Sequence, residues 1–315
     1  MLQTMQPRQT GTMLRVGVGV ERGADALDAL LAAAATARTD LDGAMPHLAV
    51  AVSTSPPRGD VVRALRGVLG PVGVTGGVTS GLLTDHGLLT EGALVLCVSN
   101  AEGATSGVAA TTGKRLADAA QATGRLVLAG WPFRGRYPRG IAMAFAAHAT
   151  GAPAAGFLTP WRELMGPKMR TVGGTMMGDV FGASTTPPLA SVGCLEATYL
   201  MGLGLAEGNT DDADVMIHSS VDATRTALKW LESHPARLVL ALESTARYRA
   251  LGGAASREWA AIREQVREHD GTSGGKCIGW LCEEVAAYGR GLHPVDVPGA
   301  LVIAALGDAS AREDR

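Results

Sequence analysis

One passage of this chain occurs twice, and that repetition restricts the folds open to it. Near the N-terminus, His47 to Ser53 (HLAVAVS) precedes a polar helix-like stretch, then Gly76 to Gly81 (GGVTSG), then Gly92 to Ser99 (GALVLCVS). Near the C-terminus, Arg237 to Glu243 (RLVLALE) precedes a longer helix-like stretch, then Gly274 to Glu284 (GGKCIGWLCEE), then Gly299 to Leu306 (GALVIAAL). Strand, helix, glycine-marked strand and strand follow in the same order each time. A repeated order of elements implies packed units of one design, with the glycine-marked strands in equivalent places.

The expected fold class is therefore α/β, with internal duplication into two related halves, each a mixed β-sheet flanked by helices. The halves are placed at residues 14–184 and 185–308, with the turn Thr185 to Leu189 (TTPPL) as the boundary. Met169 to Phe181 (MRTVGGTMMGDVF) is a further glycine-marked strand, so a weakened third copy of the module stays open.

Local pattern supplies the remaining elements. Arg15 to Val20 alternates like a strand, and Asp25 to Ala37 is an Ala- and Leu-rich helix. Val61, Leu65 and Leu69 recur at helical spacing. Gly113 to Ala122 reads as a helix, Arg125 to Gly130 as a strand and Gly140 to His148 as another helix, while Leu195 to Leu205 fits either. In the last helix before the final glycine strand, Trp259, Ile262 and Val266 face inward behind Ser256 as N-cap.

Composition excludes several function classes. The 315 residues are 46% hydrophobic and 18% charged, which excludes a disordered chain. Net charge is −2 with both signs mixed, so the basic stripe needed by nucleic acid is missing. Aromatics make up 4%, too few for base-stacking platforms. The N-terminus lacks an apolar signal region, and the apolar run after Gly140 is too interrupted to span a membrane. Cys97, Cys194, Cys277 and Cys282 lack CxxC spacing and sit in apolar stretches, as buried free thiols of a reducing, cytoplasmic compartment do.

Candidate site residues follow from residue type and place. Gly76, Gly77, Thr79 and Ser80, with Gly173 and Gly174 in the middle strand, would give a ligand close access to backbone, amides and hydroxyls; tight helix packing explains such strands equally well. Arg247, just past a buried strand, could grip a carboxylate through two parallel hydrogen bonds, or be an ordinary surface Arg. Glu283 and Glu284 alternate in direction, so one faces inward and could hold an amine. Asp179 carries the same ambiguity. Lys168 and Lys276 precede glycine strands at similar offsets, as in hydrolases with Ser-Lys pairs on threefold repeats. Cys277 and Cys282 fall on opposite faces of one strand, so one metal cannot readily take both, and no metal or cofactor is expected. Trp131 to Arg139 (WPFRGRYPR) either lines a pocket or packs as a loop.

The run Val72 to Leu83 with the strand after it resembles the N-terminal half of FIST-domain proteins. The segments Glu243-Ser244-Thr245-Ala246-Arg247, Gly279-Trp280-Leu281-Cys282-Glu283-Glu284 and Ala300 to Leu306 resemble the matching C-terminal domain. Two departures stand out: the family's Cys in the Arg-bearing segment is replaced by Ser244 or Thr245, and the Gly of its Gly-Glu pair by Cys282. The resemblance implies a bacterial sensory module that binds a small ligand, often near amino-acid metabolism. The expected function is binding of a small polar metabolite, an amino acid or related carboxylate, in a cleft between the halves, with Arg247 on the carboxylate, Glu283 or Glu284 on the amine and Cys282 close by. No signalling output domain is recognisable, so a sensor would act through a protein partner. The alternative is a stand-alone enzyme recruited from this fold, using Cys282, Lys276 or Glu283 and Glu284; a protein-binding scaffold presenting the Trp131 loop is a third.

Overall fold

The computed structural model describes residues 14–101, 103–112, 115–131, 135–137, 139–147, 154–166, 168–182, 188–208, 210–271, 275–288 and 299–309. The first unit contains β1 (Leu14–Arg22), α1 (Ala26–Asp40), β2 (Leu48–Ser53), α2 (Val61–Leu69), β3 (Gly73–Val78), a hairpin of β4 (Leu82–Thr84) and β5 (Gly87–Leu89), and β6 (Gly92–Asn100). The second contains β7 (Ala104–Thr111), α3 (Leu116–Gly130), β8 (Arg139–Ala147), α4 (Ala154–Met165), β9 (Met169–Met176) and β10 (Ala190–Ala197). The third contains β11 (Leu200–Ala206), α5 (Ala213–Lys229), β12 (Ala236–Ser244), α6 (Thr245–Leu251), α7 (Ala255–Asp270), β13 (Lys276–Cys282), β14 (Glu284–Tyr288) and β15 (Leu301–Gly307).

The pairing is the same in all three units. The last strand runs antiparallel to the first and second, and the second runs parallel to the third. Each unit thus forms a mixed sheet with its helices on one face. The α/β class, the mixed sheets and the internal duplication are all present, and the duplication extends to a third copy. The boundary segment proposed at Thr185 to Leu189 lies largely outside the described residues. The strand after it, β10, pairs with β7 and β8, so the second unit continues past that point.

Register identifies the equivalent positions. Ala51 pairs with Gly76, Ala144 with Gly173 and Ala241 with Gly279. A Cβ at Gly173 would stand 1.8 Å from the Ala144 carbonyl oxygen, and one at Gly279 2.2 Å from that of Ala241. These glycines permit the neighbouring parallel strand to approach, so packing accounts for them, but against a strand carbonyl and not against the helix that the sequence reading invoked.

The units are tied in a ring. The chain leaving each third strand joins the third strand of another unit: β4 extends the third sheet beside β13, β14 extends the second sheet beside β9, and Val180 bridges to Gly77 at the edge of the first. The inner faces of all three sheets share one core, including Val50, Leu96, Met143, Leu240 and the rings of Phe145 and Trp280, whose centroids are 5.9 Å apart. Full burial of side chains this size is worth about 1.5–3 kcal/mol each.

Two elements differ from the sequence expectation. Arg125 to Gly130 continues α3 because Gly124 does not end that helix; it lets α4 approach, with Leu164 only 2.5 Å from where a Cβ would lie. Gly140 to Ala147 is the strand β8, buried on both faces between β9 and β10, where an unbroken apolar run carries no period to separate strand from helix. The undecided Leu195 to Leu205 spans the end of β10 and most of β11. The proposed N-cap Ser256 lies inside α7, although Trp259, Ile262 and Val266 are buried as anticipated. No helix among the described residues is long and apolar enough to cross a membrane.

Candidate functional site

Arg247 does not face a crevice. It is 0% exposed, held inside the third unit by α6. Nε donates to Glu258 Oε1 at 2.9 Å, Nη1 to the Glu207 and Gly299 carbonyls, and Nη2 to the Met216 carbonyl and the Ser220 hydroxyl. Both alternatives read from sequence, a carboxylate grip and a surface Arg, give way to a buried structural cation. The reason is local: Ser244 caps α6 by accepting from Arg247 N, which turns the side chain back under α5 and α7.

The glycine strands offer no bare backbone to a ligand. Gly76, Gly77, Gly173 and Gly174 are buried, and Gly174 packs against Cys282, whose Sγ would lie 3.0 Å from an added Cβ. Thr79 is 0% exposed, and its hydroxyl donates to the Leu281 carbonyl. The anticipated main-chain walls are thus covered by the neighbouring strand of the same unit at Gly76 and Gly173, and by another unit at Gly77, Gly174 and Thr79.

The ends of the three glycine strands do converge. Val78 N donates to the Asp179 carbonyl at 2.9 Å, Leu281 N to that of Gly81 at 2.9 Å and Glu283 N to that of Thr175 at 2.8 Å. This brings Ser80, Asp179, Glu283 and Glu284 to one end of the ring. Ser80 is partly buried and its hydroxyl lacks a hydrogen-bond partner among the described residues. Glu283 Oε2 accepts from the Thr245 hydroxyl at 3.2 Å, and Glu284 lies on β14, its amide bound to the Thr175 hydroxyl. Asp179 is exposed.

All four cysteines are free and buried. Cys277 packs in the helix-side core of the third unit and Cys282 in the central core, as the strand alternation required. Burial pushes both thiols up to about 12, so neither is a poised nucleophile. Lys276 is paired to Asp40 of α1, Nζ to Oδ2 at 2.8 Å. Lys168 is exposed before β9. Trp131 is buried at the end of α3; residues 132–134 and 138 of its loop lie outside the described residues.

The first and third units enclose a crevice of about 270 Å³. Val18 and Val20 of β1, Leu88 and Leu89 of the hairpin and Ile278 of β13 form its apolar surface. Arg22, Asp85, His86 and Lys276 supply its charged and polar groups. The hairpin wall is fixed from behind: Trp259 Nε1 donates to the Thr84 carbonyl at 2.7 Å, and Arg263 Nη1 to that of Asp85 at 2.7 Å. Asp85 also pairs with Arg263 through its carboxylate at 3.4 Å. Asp40 accepts from Val18 N as well as from Lys276, so one carboxylate ties β1 to β13 at the end of the crevice. Arg22, at the other end of β1, has no ion-pair partner among the described residues.

Sequence reasoning missed Arg22 and His86. The signal for the second was present: Leu82 to Leu89 (LLTDHGLL) is a short hairpin, with apolar pairs about a turn closed by Gly87 at φ +95°. Nothing local marks Arg22, because the residues it shares the crevice with, Val18 and Val20 apart, come from the hairpin about sixty positions on and from β13 near the other end of the chain.

No family model matches this chain, and no curated protein matches it. Among solved structures, a cyanuric acid hydrolase from A. caulinodans aligns with a TM-score of 0.46 at 13% identity, covering 94% of this chain and 100% of that one. A second cyanuric acid hydrolase aligns with a TM-score of 0.44 at 8% identity, with the same coverage. PurLQS from Thermotoga maritima gives 0.28 at 11% identity over 96% of this chain and 75% of its own. Scores this low record a distant likeness of shape, and no residue role is taken from them.

Proposed function

We propose that this protein binds a small carboxylate-bearing metabolite in the crevice between its first and third units. The observation that carries the reading is the charge balance of the walls. Lys276 is neutralised by Asp40 and Asp85 by Arg263, while the exposed Arg22 has no ion-pair partner among the described residues and stands beside the apolar part of the lining. A guanidinium offers paired N–H groups that match a carboxylate. The FIST resemblance also implies a small-ligand binder, although the residues it put forward, Arg247, Glu283 and Glu284, do not line this crevice; a sensory role would pass occupancy of the crevice to a protein partner. The enzymatic alternative has less support, since Cys282 is sealed in the core and Lys276 is engaged.

A thermal-shift titration with small carboxylates tests the proposal. A ligand that binds only the folded state raises the melting temperature with concentration. The rise should occur in the wild type and disappear in Arg22→Gln. An Arg22→Gln protein that responds like wild type would defeat the reading. A second reading places the ligand at the strand ends, favoured by the unpartnered Ser80 hydroxyl. There the Ser80→Ala variant, rather than Arg22→Gln, would lose the response.

A further inference from the structure

The crevice lies in one of three equivalent seams between units, and that seam is closed differently from the other two. By register, Gly73, Arg170 and Lys276 hold equivalent places, each three residues before the glycine that faces the parallel strand. Each meets a neighbouring unit. At Gly73, the Val108 side chain of β7 packs where a Cβ would lie. Arg170 donates to the Met201 carbonyl of β11 and lies over Trp230 at the end of α5, 5.2 Å from the ring centroid. Lys276 instead pairs with Asp40, the last residue of α1, at 2.8 Å. Asp40 and Trp230 are equivalent in turn. Each lies three residues past an alanine whose carbonyl meets a first-strand glycine, Ala37 against Gly17 and Ala227 against Gly202.

The seam held by Lys276 and Asp40 joins the first unit to the last, so no consecutive stretch of chain crosses it as between the other pairs. The ion pair stands between two hollows. On one side is the crevice; on the other is a cavity of about 330 Å³, lined by Val16, Asp40, Ala236 and again Lys276. Asp308 of the third unit adds a polar tie, accepting from Leu14 N at 2.7 Å. At the far end the hairpin is anchored to α7 by Trp259 and Arg263, so the seam is weakest beside Val18. We infer that the Lys276–Asp40 pair is a latch on the crevice, and that the seam parts there to admit the ligand. The purpose of the latch rests on the crevice reading. Its strength follows from exposure: the two side chains are 39% and 31% exposed, and such a pair shifts an equilibrium by only about two- to fivefold. That holds the seam and still lets it release. Apolar packing at Val108 has no comparable dependence on charge.

The test is labelling of native Val16→Cys by a disulfide reagent at pH 8, with the modified sites resolved by peptide mapping. Val16 is buried and lines the second cavity, so a thiol there reports parting of the seam. The four native thiols, all buried, report opening of the whole fold. Sodium chloride raised from about 10 mM to about 1 M shortens the screening length from about 30 Å to about 3 Å. It should speed labelling of Val16→Cys about two- to fivefold and leave the native thiols unchanged. Adding Lys276→Glu sets two carboxylates face to face and should speed labelling at least about tenfold at low salt. Adding Lys276→Arg should leave the rate as it was. Met201→Cys, at the place equivalent to Val16 in the seam closed by Arg170, should not respond to salt. Labelling of Val16→Cys that ignores both salt and Lys276→Glu would overturn the latch. A rise shared equally by the native thiols, or by Met201→Cys, would overturn it too, since the loosening would then be general. No ligand takes part in the measurement. The latch can therefore fail while carboxylates still raise the melting temperature, and the crevice reading can fail while the seam still parts.

Discussion

Arg247 and Glu258 meet at 2.8 Å inside the third unit, with side chains 0% and 2% exposed. The Ser220 hydroxyl joins the same carboxylate oxygen, and the Arg247 guanidinium also reaches three backbone carbonyls. Removing one partner of a buried pair strands the other charge, at about 3–5 kcal/mol. Arg247→Met should therefore lower the unfolding free energy by about that amount in urea titrations. Arg247→Lys should recover little of it, because an ammonium cannot span carbonyls that the planar fork reaches together. A variant of full stability that has lost only ligand binding would contradict the structural role.

Glu243 packs against the same pair and should make stability pH-dependent. Burial first, then the Glu258 charge and a carboxyl–carboxyl hydrogen bond, raise its pKa well above the usual 4.5, against the opposing pull of Arg247. The folded state thus holds a proton that the unfolded state has released. The resulting stabilisation is fully present below about pH 4.5 and is lost as the pH climbs toward the folded value. Glu243→Gln mimics the protonated acid at every pH. The stability of the wild type minus that of Glu243→Gln should fall between pH 5 and pH 8. A constant difference over that interval would mean that Glu243 is ionised in the fold.

What the sequence disclosed follows the range of the forces involved. The face formed by Val61, Leu65 and Leu69 was legible because helical spacing is local, and all three are buried in α2. The equivalent glycines were legible as a pattern, but their purpose was not: whether Gly173 meets a ligand or the Ala144 carbonyl depends on the strand beside it. The sequence reading ended a helix at Ala122 and began a strand at Arg125, whereas α3 runs on through Gly124, whose contact Leu164 is 40 positions away in the chain. The site was the least legible part. Arg247 looked accessible from its position after a strand, and its partners Glu207, Met216, Ser220, Glu258 and Gly299 come from four separate segments. Arg22 and Lys276 meet one crevice only because the first and third units close the ring.

The thiols supply a third prediction. Burial pushes Cys97, Cys277 and Cys282 up to about 12 and raises Cys194 as well. Thiolate is the reactive form, so all four should resist labelling by a disulfide reagent at pH 8 in the native protein. They should react together on unfolding, at a rate set by the unfolding step. Rapid labelling of Cys282 alone would revive the covalent alternative. Cys277 borders the crevice as well as the helix layer, so a ligand that tightens the crevice should slow its labelling further.

Two glycines in opposite settings test the packing account of the repeat. Gly67 lies on the exposed face of α2 with nothing within 4 Å of an added Cβ. There Gly67→Ala removes unfolded-state freedom without a clash and should stabilise by about 0.5–1 kcal/mol. Gly173 sits in β9 with the Ala144 carbonyl oxygen 1.8 Å from the same added atom. That oxygen belongs to the central strand β8, hydrogen-bonded on both sides, so it cannot retreat without opening the second sheet. Gly173→Ala should cost about 3 kcal/mol or more, or prevent folding. Gly279→Ala, the equivalent change in the third unit, should behave alike, since the register places it against Ala241 in the same way. Chemical unfolding of the three variants gives the comparison directly. If Gly173→Ala and Gly279→Ala were as mild as Gly67→Ala, the close approach of the parallel strands would not be what selects glycine at these positions. The repeated passage would then need an explanation outside backbone packing.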